Sequence, residues 1–516
     1  MFKKSPKTKQ FDMFNSPSGL LCEREGRLYD DQNAWHNTFY REVTSNIDEE
    51  IFKPLYTTTH ETNCVGRPNV SIRILVAMMI LKEGVGCSDE QLYEQCRFNL
   101  LYRRALGMVN LDEQCPTIDS YYGLRRRICK HEEETGVNLF DKCFKQITKS
   151  QAWEYRISGK AIRMDSKLIS SNIAWYSRYE IIHETFVKSV TKEELERIAD
   201  QLVRQQALEF FAEDAKKTVY RTDSETMGKR LLDLGIVIDY VLTHSIAKNK
   251  SLLERVFSEQ YEKSDNGVVS VRDKRKISAK SVQNPNDPDA EYRGKHKQKV
   301  KGFSTNITET LPEKDKPSLI TDVKVKGATA ADNDFFEDAV TATREVTGDD
   351  VKTAYVDGAY QSQSNRDFGK DEEMNIVAGG LQGKPSRFDL NMTDAQTLEV
   401  TDKTTGEVKT AIPVKPDKWK IDLVDANGKK AYRYFSKEQV DRVEVRRKVD
   451  AIPFDERKKR NNVEAAMFQY SFHTRNNKTR YRTLIKHSLQ AIARCAWINM
   501  RRIFWFDCKL SLQMAK

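Results

Sequence analysis

No apolar run in this chain approaches the ~18–20 residues that span a bilayer. The opening Met1-Phe-Lys-Lys-Ser-Pro-Lys7 has no apolar stretch behind it to read as a secretory signal. A membrane partner is therefore not expected, and the cytoplasm is the expected location. Cysteine is sparse and poorly placed for a scaffold: nine residues, none between 144 and 494, and no Cys-x-x-Cys. That excludes a disulfide framework and a zinc ribbon, and leaves reduced thiols. The eight histidines are scattered, without a zinc spacing such as His-Glu-x-x-His. Internal repeats and long low-complexity tracts are also missing. What is abundant is charge. Charged residues make up 31% and the net charge is +10, beside 39% hydrophobic residues. The apolar fraction suffices for a core, and the excess of cations favours a polyanionic partner.

A length of 516 residues implies two to four domains. Helical signals fill the first part. A helix is expected over Asp31–Ile51 and another over Val70–Glu83, where residues 72, 75, 76, 79 and 80 form one apolar stripe and Gly84 and Gly86 mark the stop. Ser88-Asp-Glu-Gln91 reads as a capping box opening a helix over Asp89–Ala105. Pro116-Thr117 opens a third helix, which carries Arg125, Arg126 and Arg127. Residues 161–169 read as a strand, and about 173–263 as amphipathic helices. The polar, basic stretch from Lys263 to Lys301 reads as a linker or a loop that orders on a ligand. Strand and helix signals then alternate: strands at Phe303–Glu309, Ser318–Lys326, Val351–Val356 and Asn375–Ala378, helices at Ala331–Val346 and Ser362–Lys370. This pattern is that of a mixed α/β core. Residues 380–436 alternate polar and apolar between turns at Lys403–Gly406 and Asp425–Gly428, as inserted β-hairpins do. Helices close the chain at about 455–474 and 482–505.

Three segments place an acid at the end of a patterned stretch. Ala161-Ile-Arg-Met-Asp165 and Thr353-Ala-Tyr-Val-Asp357-Gly358 are short strands ending in a carboxylate. Arg460-Asn-Asn-Val-Glu464 opens a helix with an acid one turn after a cation. Open α/β sheets hold ligands beyond the carboxyl ends of their strands. Two strand-end Asp residues and a helical Glu can therefore converge on a pair of hard cations about 3.5–4 Å apart, an arrangement that cuts and joins phosphodiesters. In a continuous helix, Arg457, Arg460, Glu464, Phe468, Ser471 and Arg475 share a face. Taken singly, a strand-end Asp is more often a turn or cap residue than a metal ligand, and Glu464 also reads as an ion-pair partner of Arg460.

The ordered set resembles a bacterial insertion-sequence transposase of the DDE type. Arg163-Met-Asp165-Ser-Lys-Leu-Ile169 is similar to the first-acid motif of that family, Tyr355-Val-Asp-Gly-Ala-Tyr360 to the second, and Arg460-x-x-x-Glu464 to the third. Gly66-Arg-Pro68 and the helix behind it resemble the family's N-terminal helical domain. Asp287-Pro-Asp-Ala290, Lys295 and Gly302-Phe303 resemble the lead into its second core strand. The resemblance implies an α+β chain: an N-terminal helical DNA-binding or dimerisation domain (1–155) and a ribonuclease H-like mixed sheet flanked by helices (156–505). That core would carry a helical insertion at about 172–295 and a β-rich one at about 380–440, with a tail at 506–516. It implies Asp165, Asp357 and Glu464 as catalytic and metal-binding residues, two Mg²⁺ or Mn²⁺ ions, and cleavage at terminal inverted repeats. Attack of the freed 3′-OH on target double-stranded DNA, by a homodimer, would follow. Relatives often carry a Tyr three residues before the Arg and a Lys seven after the Glu. Here Arg457 and Ser471 stand there, with Arg475 or Lys478 as stand-ins for the Lys.

Further DNA contacts are expected at Arg475, Lys478, Arg480 and Arg482, whose cations would add a salt-dependent attraction, and at Arg125–Arg127. Each run also reads as plain solvated surface. Trp419 reads either as a wedge between bases or as the core of a hairpin. Two rivals stay open: a transposase-derived DNA-binding protein without catalysis, and a metal-dependent nuclease of the same fold.

Overall fold

The computed structural model describes residues 2–6, 12, 14–56, 68–247, 250–295, 298–381, 383–394, 397–424 and 430–514. Gly66-Arg67 and the turn Asp425–Gly428 lie outside the described residues. Helices α1 (Ile72–Val85), α2 (Asp89–Phe98), α3 (Ile118–Thr135) and α4 (Leu139–Glu154) build the N-terminal part. Two starts follow from capping chemistry: Ser88 and Gln91 exchange the bonds of a capping box, and Thr117 accepts from the Ser120 N–H.

Other boundaries differ from expectation. The segment 31–51 holds only a short helix, Trp35–Glu42, followed by 3₁₀ turns at Thr44–Asn46 and Glu49–Leu55. The helix begun at Asp89 breaks at Asn99, whose side chain turns away to cap a new start at Leu100. Residues 72–84 of α1 are buried on every side rather than on one stripe. Gly86, with φ +80°, ends that helix. Gly84 does not: it lies under the Trp497 ring, where a Cβ would collide.

The central sheet has six strands: β1 (Ala161–Ser170), β2 (Glu291–Lys295), β3 (Gln298–Thr310), β4 (Ile320–Gly327), β5 (Thr353–Val356) and β6 (Asn375–Ala378). β3 runs antiparallel to β1, with Asp165 opposite Ile307. Its outer edge pairs with β2 along its first residues and with β4 along the rest. On the other side of β1 the sheet turns parallel, Arg163 opposite Tyr355 of β5, then Tyr355 opposite Val377 of β6. Helix α5 (Phe336–Thr347) returns the chain from β4 to β5 and packs Phe336, Ala339 and Val340 beneath β1 and β5.

Two insertions interrupt this core. Six helices between Arg178 and Gln260 enclose an apolar cluster of their own. The stretch after Lys263 is not a linker. It contains a hairpin strand, Val269–Val271, paired with Tyr261–Lys263, and buried polar residues tied to the core. Ser171 Oγ donates to Asp287, and Asn284 Nδ2 donates to the Ala174 carbonyl at 3.1 Å. Hydrophilicity concealed this order, because the segment is buried through hydrogen bonds rather than apolar contact. The second insertion is a five-stranded antiparallel sheet: β7 (Phe388–Met392), β8 (Leu398–Asp402), β9 (Val408–Lys415), β10 (Lys418–Val424) and β11 (Lys430–Ser436). Helix α6 (Lys437–Asp450) closes one of its faces through Val440.

The expected helix over 455–474 is two pieces, α7 (Phe454–Lys458) and α8 (Val463–Ser471), so the single face from Arg457 to Arg475 does not exist. The last helix, α9, runs from Leu484 to Met514. It lies against α1 and α4, and its Ile492 and Ala496 share one apolar cluster with Leu75 of α1, Ile147 of α4 and Ile307 of β3. The N-terminal helices and the sheet therefore have a common core. Among the described residues no helix is long and apolar enough to cross a membrane, and all eight described cysteines are free.

Candidate active site

Asp165 within β1 and Asp357, one residue past the end of β5, each lie two residues beyond the parallel Arg163–Tyr355 pair. Equal offsets from a parallel pair carry both to the same end of adjacent strands. Their electrostatic coupling follows. Burial pushes the Asp165 carboxyl up from its ordinary range, Arg460 pulls it back, and Asp357 and Asp332 push it further up. The Arg460 guanidinium holds Asp165 Oδ2 at 3.1 Å. Each aspartate is also braced by the next backbone amide: Ser166 N–H donates to Asp165 at 2.9 Å, and Gly358 N–H to Asp357 at 2.8 Å. Gly358 must lack a side chain, because a Cβ would collide with the Gly380 carbonyl.

The neighbouring residues fix these groups. Arg163 is buried, donates to Glu309, and reaches the Lys459 carbonyl at 3.2 Å. Tyr355 donates its hydroxyl to Glu456 at 2.9 Å. Both bonds hold the α7–α8 segment, and with it Arg460, over the ends of β1 and β5. A cavity of about 350 Å³ opens beside Asp357, lined by Gly380, Phe454, Arg457, Lys458 and Arg460. Three cations around that space suit an anion such as phosphate.

Glu464 sits in the first turn of α8, exposed. Its backbone N–H donates to the Asn461 carbonyl. Arg460 pairs with Asp165 rather than with Glu464, which the break at 459–462 explains. Among the described residues, no group of three or more His, Cys, Asp or Glu side chains is close enough together to hold a metal ion. The structure brings Asp165, Asp357 and Arg460 together and leaves the Glu464 side chain exposed at the start of α8.

Two participants were missed in the sequence. Asp332, 8% exposed, accepts a bond from Ser166 Oγ. It lies in a 3₁₀ turn, Asp332–Phe335, ahead of α5, where an acid reads as an ordinary helix start. Lys167 lies two residues after Asp165, on the same face of β1 by strand alternation. Its ammonium donates to Ser471 Oγ at 2.7 Å. Ser471 is the residue that stands seven after Glu464, so a lysine does reach that place, from a strand rather than from the helix. Burial pushes the Lys167 ammonium down, and among the described residues it has no carboxylate partner.

The expected DNA contacts divide. Trp419 is 4% exposed and packs in the apolar cluster that the inserted sheet shares with α6, which is the hairpin-core alternative. Arg125 is held by Asp89 at 3.2 Å and stacks with Tyr121 and Tyr481. Arg126 and Arg127 are exposed, the latter over the Tyr56 ring. Residues 475–483 are not a helix end but a loop joined to β1, with Ser170 N–H donating to Asn477 and Thr479 N–H to Ser170. Within it Arg475 is exposed. Lys478, Arg480 and Arg482 donate to the carbonyls of Ile173, Cys87 and Asn172.

Residues 27–127 match a family model described as transposase domain (DUF772). No curated protein and no solved structure matches the chain. The matched span covers α1, α2 and most of α3, and ends before β1. It supports a transposase role for this protein, and with that role DNA as its partner.

Proposed function

We propose that this protein is a DDE-type DNA transposase whose ribonuclease H-like core cuts transposon ends and joins them to target DNA. The observation that carries the reading is the placement of Asp165 and Asp357 at the same end of two adjacent parallel strands, with Arg460 on Asp165 and a cationic cavity beside Asp357. Their hard oxygen donors suit Mg²⁺ or Mn²⁺. Glu464 would complete the set by swinging in from the start of α8, where the helix dipole favours an anionic side chain. Two bound ions would supply activation of the attacking oxygen and stabilisation of the leaving one.

The chain's own part is positioning and charge. In the first step water adds to the phosphorus of the scissile phosphodiester and the 3′-oxygen leaves as the hydroxyl. In the second, that 3′-hydroxyl adds to a target phosphodiester and displaces its 3′-oxygen. Arg460 neutralises Asp165 in the free protein and is free to turn to a phosphate once a cation takes the carboxylate. Lys167, at Ser471, is placed to hold a second phosphate. Two transposon ends imply two protomers.

The test uses DNA bearing the inverted repeats that flank the gene. With Mg²⁺ or Mn²⁺ the protein is expected to nick and join these ends. Asp165→Ala and Glu464→Ala should abolish both steps while leaving end binding intact. Binding without any cleavage by the wild type would mark a catalytically silent DNA-binding protein. Cleavage without joining would mark a nuclease of the same fold.

A further inference from the structure

Helix α8 turns Val463, Ala466, Met467 and Tyr470 inward. Its outward face carries Glu464, Phe468 and, just past the helix, Phe472, whose backbone is still helical. These follow the i, i+4, i+8 spacing of one face. Phe468 is 65% exposed and Phe472 62%. Their rings meet edge to face, 5.9 Å between centroids, and His473 continues the array at 5.1 Å from Phe472. A single exposed phenylalanine is ordinary. Two adjoining rings beside an acid of the candidate site, running into a loop with exposed Arg475 and Lys478, form a composed surface.

We propose that Phe468 and Phe472 are a stacking platform for unpaired nucleobases of DNA, with the strand's phosphates lying towards Arg475 and Lys478. The proposal rests on the DNA-processing reading above. Charge selects the occupant. An apolar protein surface would have to meet the cations of the loop, whereas a single strand offers π-faces for the rings and phosphates for the arginine and lysine. Glu464 is the carboxylate on this face. Bases become unpaired where a duplex end is opened, which is where a transposase works.

The experiment compares a short blunt duplex with the same duplex carrying a single-stranded overhang that contains 2-aminopurine. Wild type and the surface variant Phe468→Ala/Phe472→Ala are titrated with both. The wild type is expected to bind the overhang duplex more tightly and to quench 2-aminopurine by stacking. The variant should lose about tenfold or more in affinity for the overhang duplex, lose the quenching, and keep its blunt-duplex affinity. Equal loss on both duplexes, or no loss on either, overturns the proposal. So does a change of oligomeric state with overhang binding intact, which would make the face a contact between copies. Wild-type protein that binds neither duplex would instead refute the DNA reading itself, and the platform with it.

Discussion

His487 and Asp322 are two buried titratable groups that set opposite pH limits. His487 is fully buried on the Phe303 ring and shares Nε2 with Thr305 and Tyr470, at 3.2 and 3.1 Å. Burial pushes its imidazole down to about 3. Below the ordinary value of 6.5 the unfolded chain takes up a proton that the folded one refuses, so stability falls as pH falls. At pH 5 the loss amounts to about 2 kcal/mol. Chemical denaturation at pH 7 and pH 5 should show it, and His487→Gln should flatten the difference. Asp322 has no hydrogen-bond partner for either carboxylate oxygen. Burial raises it to about 7, against the pull of Lys324. A raised acid is favourable below its unfolded value of 3.8 and loses that advantage as pH climbs through 7. Asp322→Asn is therefore expected to stabilise the protein at pH 8, on the order of 1–3 kcal/mol, and to change little at pH 4. A thermal midpoint that does not rise at pH 8 would show that Lys324 compensates the charge.

Among the elements, the contact of α1 with α9 leaves no room for an added methyl. The Trp497 ring lies on Gly84, and Arg494 reaches across to the Glu83 and Gly84 carbonyls at 3.1 and 2.6 Å. Alanine in mid-helix normally gains up to about 1 kcal/mol over glycine. Here the methyl would drive the ring away, and overpacking costs about 1–3 kcal/mol. Gly84→Ala should lower the thermal midpoint, and an unchanged or raised midpoint would refute this packing. This is also the scale at which sequence reading succeeded and failed. β6 was legible residue for residue, and β1 to within one, because short apolar runs between turn signals leave few alternatives. α6 left no trace, because only Val440 and Val449 of its residues are buried. The gap between α7 and α8 contains Asn461 and Asn462, which disfavour helix interiors, but the apolar spacing of 463, 467 and 470 masked that signal. The pairing of Asp165 with Asp357 was legible as strand ends. The register that aligns them, the approach of Asp332 and the reach of Lys167 arise only when distant segments meet.

For the whole molecule, the division of the core decides how it unfolds. The N-terminal helices, β1, β3, β4, α8 and α9 share one apolar cluster, while the helical insertion keeps its own. Protein lacking residues 1–155 should expose that cluster, bind a hydrophobic dye and fail to stay soluble. The segment from Arg178 to Val282 should fold when expressed alone. A soluble, cooperatively melting 156–514 fragment would contradict the shared core. The same division explains why a transposase match confined to residues 27–127 marks part of the main body rather than a detachable module.

The 31-residue helix Leu484–Met514 has a further consequence during synthesis. It follows every other described element of the core in the chain, yet it lies within the largest apolar cluster among the described residues. A nascent chain cannot close that cluster until the helix has left the ribosome. Products of premature stops or frameshifts upstream of Leu484 should therefore remain inert and be degraded. If the proposed reading holds, DNA cleavage would then require a chain that includes this helix.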